Sequence, residues 1–518
     1  EITYGDWSSD VCSSDLEAAP QRDVNSIAST TAGVFQKDEG DALNVRGQRS
    51  SGTEYFIDGI KVRGSTGLPQ KGIEQITVVT GGIPAQYGDA TGGIINISTR
   101  GPSREFYGGI EALTSEIFDQ YGYDLVTFNL SGPVASRKEA DGSKSPLLGF
   151  FISGEFEHAK DPDPSAVGFY KINDDKLAWL QDNPYKLNAN GNGVVKNSEY
   201  VTKDDMEKIK YMPNVASNSY RFSGKLDFQP IKPLNITVGG SFNYNKRHDQ
   251  IYEYELFNYE NNAMTEAMTW RTFARVTHKL GSAESSQEKS ASTFKNAYYS
   301  IQFDYTKVHD VQQDETHGDN LWNYGYLGKF TSDYNPYYLP QILTYQGVAD
   351  TFYSNANIGS IYNGYYFDAA GVNPSTENYT LQYYDLIGTP VNPAQLQNGK
   401  GLLNGNRPEP VYSLWYNTGR QFNGYNVIDN GQFRVSVNGN VDIKDHSLQI
   451  GFEYEQRKDA QFSTAPIGLW SAQRSLANAL NTNLVANDSG QIINTDGIGW
   501  DSLYLPYQYN QQQLEGIG

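Results

Sequence analysis

Six histidines are the side chains in this sequence best suited to hold a metal or move a proton near neutral pH. They are His158, His248, His278, His309, His317 and His446, and they are scattered with no metal-ligand spacing. Asp161-Pro162-Asp163-Pro164 reads as a turn, because the alternating ligands and late glutamate of a calcium loop are missing. Asn494-Thr495-Asp496-Gly497 reads as a turn as well. No G-x-S-x-G elbow supplies a nucleophile. Cys12 is the only cysteine, which rules out an internal disulfide and a cysteine-based metal site. The sequence therefore predicts no catalytic residue, no metal and no cofactor.

Contact chemistry remains. Residues 310–424 are rich in Tyr, Asn and Gly, as in WNYGYLGKF, IYNGYYFDAAG and YSLWYNTGRQFNGYN. Tyr and Trp give rigid amphipathic contact area at low entropy cost, suited to stacking on sugars, peptides or a chelate. The same residues could simply decorate a long wet loop without structure of its own. No single residue there stands out as ligand-binding.

Composition bounds the elements that could carry such contacts. The chain has 518 residues and a net charge of −20, which argues against nucleic-acid binding. Mean hydropathy is −0.59, and no apolar run reaches the roughly 18 residues of a membrane helix. Transmembrane β-strands need only about 9–11 residues and turn half of them to a polar lumen, so a membrane barrel stays open. Tyr 38, Phe 23 and Trp 7 fit the aromatic girdles of such a barrel, or a tyrosine-rich soluble sandwich.

A compact unit comes first. VNSIASTTAG from Val24 to Gly33 predicts a short helix. Short strands are predicted at Leu43–Arg46, Tyr55–Val62, Ile73–Thr80 and Gly93–Thr99, with an Asp58-Gly59 hairpin turn. The glycines Gly59, Gly81, Gly82, Gly88, Gly92 and Gly93 read as turn formers, since they fit no phosphate-loop spacing. Glu1–Leu16, EITYGDWSSDVCSSDL, resembles a translated sequencing-adapter scar and is expected to form neither helix nor strand. QQQLEGIG at the other end closes without a strand, so the chain reads as a fragment at both ends.

RGQR at Arg46–Arg49, YFIDGI at Tyr55–Ile60 and IEQITVVTGGIPAQYGDATGGIINISTR at Ile73–Arg100 resemble the plug domain of a TonB-dependent outer-membrane receptor, with a Bacteroidota flavour. GTEYFIDGI departs from the starch-utilisation-type subgroup. The resemblance implies a plug over residues 23–102 inside a barrel of about 22 strands. It implies a ligand bound outside the cell and TonB pulling from the periplasm through an N-terminal segment the chain lacks. Outer-membrane lipid is a further expected partner, and a surface lipoprotein stays open. In the family, plug arginines and wall acids hold the plug by ionic contacts; the matching positions are Arg46, Arg49, Glu74 and Arg100.

After Gly101-Pro102 the periodicity settles to two. Tyr220, Phe222, Leu226 and Phe228 alternate with Arg221, Ser223, Lys225 and Asp227, and eight other spans behave likewise. The spans lie near 104–116, 121–132, 146–158, 218–229, 233–247, 267–280, 294–309, 425–442 and 446–458. If the first rises from the periplasm, the long segments 159–217, 248–266, 310–424 and 459–518 all fall outside, and the connections 133–145, 230–232, 281–293 and 443–445 all fall inside. The fold class is thus mainly β: a small α+β plug, then a partial antiparallel transmembrane barrel over 103–518. The expected function is TonB-energised import across the outer membrane of a Gram-negative cell. An adhesin or secretion-channel component of the same architecture stays open, as does a soluble secreted carbohydrate-binding β-protein.

Overall fold

The computed structural model describes residues 8–12, 22–38, 41–64, 66–84, 87, 92–138, 144–280, 294–337, 340–345, 348–353, 359–443, 446–482, 484–486, 491–494, 501–504 and 507–509. The N-terminal unit is built on a five-stranded sheet. Its strands are β1 (Ser8–Cys12), β2 (Thr53–Ile57), β3 (Ile60–Lys61), β4 (Ile73–Val79) and β5 (Gly93–Thr99), in the order β1-β4-β5-β2-β3. β2 and β5 run parallel and the other pairs antiparallel. Ile76, Val78, Ile95 and Ile97 lie fully buried between this sheet and helix α1 (Val24–Ala28). Burying each such side chain contributes about 1.5–3 kcal/mol. Asp23 caps α1, its carboxylate accepting the Ser26 N–H at 3.0 Å. Gly93 sits where a Cβ would lie 2.6 Å from Val45, so no larger residue fits without displacing that side chain.

The expectation that residues 1–16 hold no strand is overturned for Ser8–Cys12. β1 pairs with β4 from Ser8↔Val79 to Cys12↔Gln75. The otherwise free edge of β4 offers unpaired N–H and C=O groups. The alternation Asp10-Val11-Cys12 turns Val11 into the core and its neighbours to solvent. The rest of that segment lies outside the described residues, apart from these five.

The wall follows as nine antiparallel strands, each paired with the next. They are β6 (Tyr107–Thr114), β7 (Tyr123–Lys138), β8 (Lys144–Ala159), β9 (Ser217–Ile231), β10 (Leu234–Asp249), β11 (Ala263–Leu280), β12 (Phe294–Gln313), β13 (Tyr425–Ile443) and β14 (His446–Lys458). All nine spans expected from alternation are present. A short strand, β15 (Gln461–Thr464), folds back onto the start of β13 and was not anticipated.

Register aligns the two faces across the wall. Gly154, Phe222, Phe242 and Trp270 fall in one row. The next row places Ser153, Ser223, Ser241 and Arg271 side by side. One face therefore carries Ile110, Leu130, Ile152, Leu226, Val238, Phe303, Phe433, Ile450 and Phe452, all exposed. The other carries serines, threonines and charged groups. Apolar on one side and polar on the other is the alternation of a membrane barrel, and the exposed apolar face speaks against a soluble sandwich.

The long connections are not structureless. In 310–424, Gly328–Tyr337 pairs with Gly359–Ala369, and helices α3 (Pro374–Ile387) and α4 (Pro393–Asn398) follow. In 159–217, helix α2 (Asp174–Asp182) and the hairpin Tyr185–Leu187/Val194–Lys196 both lie between two paired strands, Phe169–Ile172 and Met206–Ile209. Tyrosine explains the difference: its ring fills a core while its hydroxyl reaches a backbone carbonyl. Tyr379 is fully buried, edge-on to Tyr185, and donates to the Thr418 carbonyl at 3.0 Å. Segments 159–217, 248–266 and 310–424 meet in one cluster of Ile172, Leu180, Phe257 and Val411. Trp470 of the fourth long segment stacks on Tyr326 and donates to the Tyr324 carbonyl at 2.9 Å. Residues of all four thus meet in one cap at one end of the wall.

Candidate functional site

The N-terminal unit sits against the polar face of the wall. Its exit, Pro102, packs beside Gly149 near the short connections, and Ser103 N–H donates to Ser131 Oγ at 2.8 Å. At the other end Arg63 pairs with Asp459 at 2.7 Å, just beyond β14. Between them the contacts are polar. The 3-10 turn Gln70–Gly72 lies so close to the wall that a Cβ on Gly72 would be 2.5 Å from both Ser153 Oγ and Ser223 Oγ. Arg22 and Lys71 both reach Glu111 of β6, at 2.5 and 3.4 Å.

The densest group of contacts surrounds the β2–β3 turn. Asp58 and Gly59 both have positive φ, 50° and 82°, as an Asp-Gly hairpin turn requires. That conformation turns two carbonyls toward the wall. The Asp58 carboxylate accepts the Thr99 N–H at 3.1 Å and Lys225 Nζ at 3.0 Å. Lys225 also donates to the Thr99 carbonyl at 2.8 Å. Arg275 donates to the Asp58 carbonyl, and Arg434 to the Gly59 carbonyl. Three cations from β9, β11 and β13 thus grip one turn. Arg434, 1% exposed, also pairs with Asp304 at 3.1 Å and Glu453 at 3.2 Å. A buried cation of this kind costs desolvation unless its hydrogen bonds are filled, and here they are.

Of the expected ionic residues, Arg49 and Glu74 are exposed and make no ion pair among the described residues. Arg46 is exposed in a turn with φ 51°. Arg100 is half-buried and donates from Nε to the Ile73 carbonyl at 3.2 Å, within its own unit. Contacts across the seam are made by Arg22, Asp58, Arg63 and Lys71. It is partly reversed in sign, with wall cations on an acid and carbonyls. The signal was available: Asp58-Gly59 marked a turn, and Lys225 stood on the polar face of its strand. Gly59 sits in the grip, Gly82 has φ 59°, Gly81 lies beside it in the same bend, and Gly92 approaches the Gly52 carbonyl. Gly88 lies outside the described residues.

The cap offers a second concavity. A cavity of about 210 Å³ lies among Gln181, Glu260, Asp314, His317, Asn373 and Gln421. His317 Nε2 lies 2.7 Å from Asn373 Oδ1 and 3.1 Å from Gln421 Nε2. Burial pushes the Asp314 carboxyl up. Next to it, the hydrogen bond from Lys246 holds Glu315 below the usual glutamate range, assisted by His248 at 2.8 Å.

Comparison with known proteins places these features. Residues 7–94 match the family model described as TonB-dependent Receptor Plug Domain. The probable TonB-dependent siderophore receptor PirA of Acinetobacter baumannii is 30% identical over 149 residues, 23% of this chain and 20% of PirA. The TonB-dependent transporter Oar of Myxococcus xanthus is 29% identical over 97 residues, 18% of this chain and 9% of Oar. The crystal structure of PirA aligns with 88% of this chain and 57% of its own, at 13% identity and a TM-score of 0.39. The chain thus spans about a fifth of the curated PirA sequence and little over half of its solved structure.

Proposed function

We propose, from the premise that this chain is a TonB-dependent receptor carrying its plug domain, that the whole protein binds a ligand outside the cell and imports it. Its place is the outer membrane of a Gram-negative bacterium. The plug closes the pore, the cap faces outward, and TonB draws on the plug from the periplasm through a segment upstream of it. The observation that supports this most is the seam itself. The plug rests on the polar face of strands whose other face is apolar, and it is held by hydrogen bonds and ion pairs rather than by a shared hydrophobic core. Such contacts can be exchanged for water when the plug moves, at a net cost of only about 0.5–3 kcal/mol each. Binding and transport of this kind need no catalytic residue.

PirA is named a siderophore receptor, so a ferric chelate is the first ligand class to test. The full-length gene is expressed in otherwise receptor-deficient cells, and uptake of iron-labelled chelates is followed with and without TonB. Uptake that requires TonB supports the importer. Uptake unchanged without TonB rejects it. A surface lipoprotein partner is tested in the same strain by co-purification.

A further inference from the structure

The two arginines on the Asp58–Gly59 turn are not independent. Between Arg275 on β11 and Arg434 on β13 lies β12, whose inward side chains at this level are Gln302 and Asp304. Gln302 Oε1 accepts from Arg275 Nε at 2.7 Å. Its amide nitrogen donates to Asp304 Oδ2 at 3.2 Å. The same Asp304 oxygen pairs with Arg434 at 3.1 Å. Gln302 and Asp304 are 5% and 3% exposed, so water does not compete freely for these bonds. An amide is the group that suits this place: it presents an acceptor to a cation on one side and a donor to a carboxylate on the other. The chain Arg275–Gln302–Asp304–Arg434 thus closes on two consecutive carbonyls of one plug turn.

We propose that Gln302 is a positioning residue that couples the two arginines, so that the plug turn leaves the wall in a single cooperative step. Losing either arginine contact frees one side of Gln302 or Asp304, and the other arginine then loses the partner that aims it. Lys225 holds the same turn through Asp58 and Thr99; among the described residues it is hydrogen-bonded to none of these four side chains, although Asp58 also accepts from Arg275 through its carbonyl. The inference rests on the reading of the unit as a plug that must release.

The test is amide exchange of the segment 53–62 in the full-length receptor in lipid nanodiscs, without TonB or ligand. R275M and R434M each speed exchange about tenfold or more, the loss expected for a hydrogen bond to a charged group. With Gln302 present, the double variant exceeds the faster single variant by less than about threefold, the sign of a shared unit. In a Q302M background the two effects multiply. K225M, whose lysine holds Asp58 rather than the Gly59 carbonyl, multiplies with R434M in either background. Effects of R275M and R434M that multiply with Gln302 in place would overturn the proposal, as would identical non-additivity with and without it. Folding is checked by heat-modifiable migration. Where R434M leaves Asp304 stranded and unfolds the wall, R434M/D304N takes its place in the same cycle. Since neither TonB nor cargo enters the measurement, failure here leaves import untouched, and TonB-independent uptake would leave the coupling standing.

Discussion

The seam and the cap are both rich in polar groups, but they are held together differently. In the cap, tyrosines and asparagines close on themselves. Tyr379, Tyr185 and Leu396 are buried, and hydroxyls of Tyr185 and Tyr384 reach carbonyls at 2.9 and 2.7 Å. In the seam, apolar side chains stay within the plug sheet, and what crosses to the wall is charge and hydrogen bonding. A hydrophobic contact cannot be replaced by water without loss, whereas a hydrogen bond can. The cap is therefore held by contacts that water cannot replace, and the seam by contacts that it can.

Tyr379→Ala tests the cap side and has the largest expected effect. A fully buried aromatic is removed, costing about 3–5 kcal/mol. Limited proteolysis then cuts within 314–424 while the wall keeps its heat-modifiable migration; a cap that resists protease as before would break the contrast. Lys225→Met tests the seam. Asp58 loses its lysine, at about 1.5–3 kcal/mol, and amide exchange of 53–62 speeds up with the cap unaffected. Loss of cap protection as well would mean the two regions are one unit.

Arg22→Met comes next in size. Arg22 and Glu111 are both partly exposed and Lys71 remains on Glu111, so the effect stays within about 0–1 kcal/mol in the same exchange measurement. The smallest effect is that of pH on the cap. Glu315 titrates below its ordinary value, so its contribution is present above about pH 4 and is lost only as pH falls through the folded value. Asp314 is raised by burial and has the opposite sign: its charged form weighs against the fold as pH rises. The protection factors of amides 310–318, corrected for the intrinsic pH dependence of exchange, should fall only in acid, as pH drops through the folded value of Glu315. In D314N the fall in protection begins from a more stable cap, because its amide oxygen can still accept the Thr316 and His317 N–H groups. A cap loosened by D314N at neutral pH would contradict this.

Much of the architecture was legible because β-strands have a period of two. Tyr220, Phe222 and Phe228 against Arg221, Ser223 and Lys225 marked a strand with one apolar face, and nine such spans set the wall and its parity. The plug strands were legible from glycine and Asp-Gly turns. The cap was not. Its tyrosines carry no period, and whether Tyr379 is wet or buried depends on Tyr185, nearly two hundred residues earlier. β1 was missed for the same reason: a five-residue edge strand has little propensity of its own and forms because β4 offers it partners.

The amino-acid sequence alone determined the alternation, the turns and hence which residues face inward, since these follow from backbone geometry within a few residues. Which inward residues meet the plug was decided only in three dimensions. Asp58 lies 167 positions from Lys225, and Gly59 lies 375 from Arg434. Charges pair through space, and along the chain nothing distinguishes Arg434 from any other inward arginine until neighbouring strands place Asp304 and the plug turn beside it.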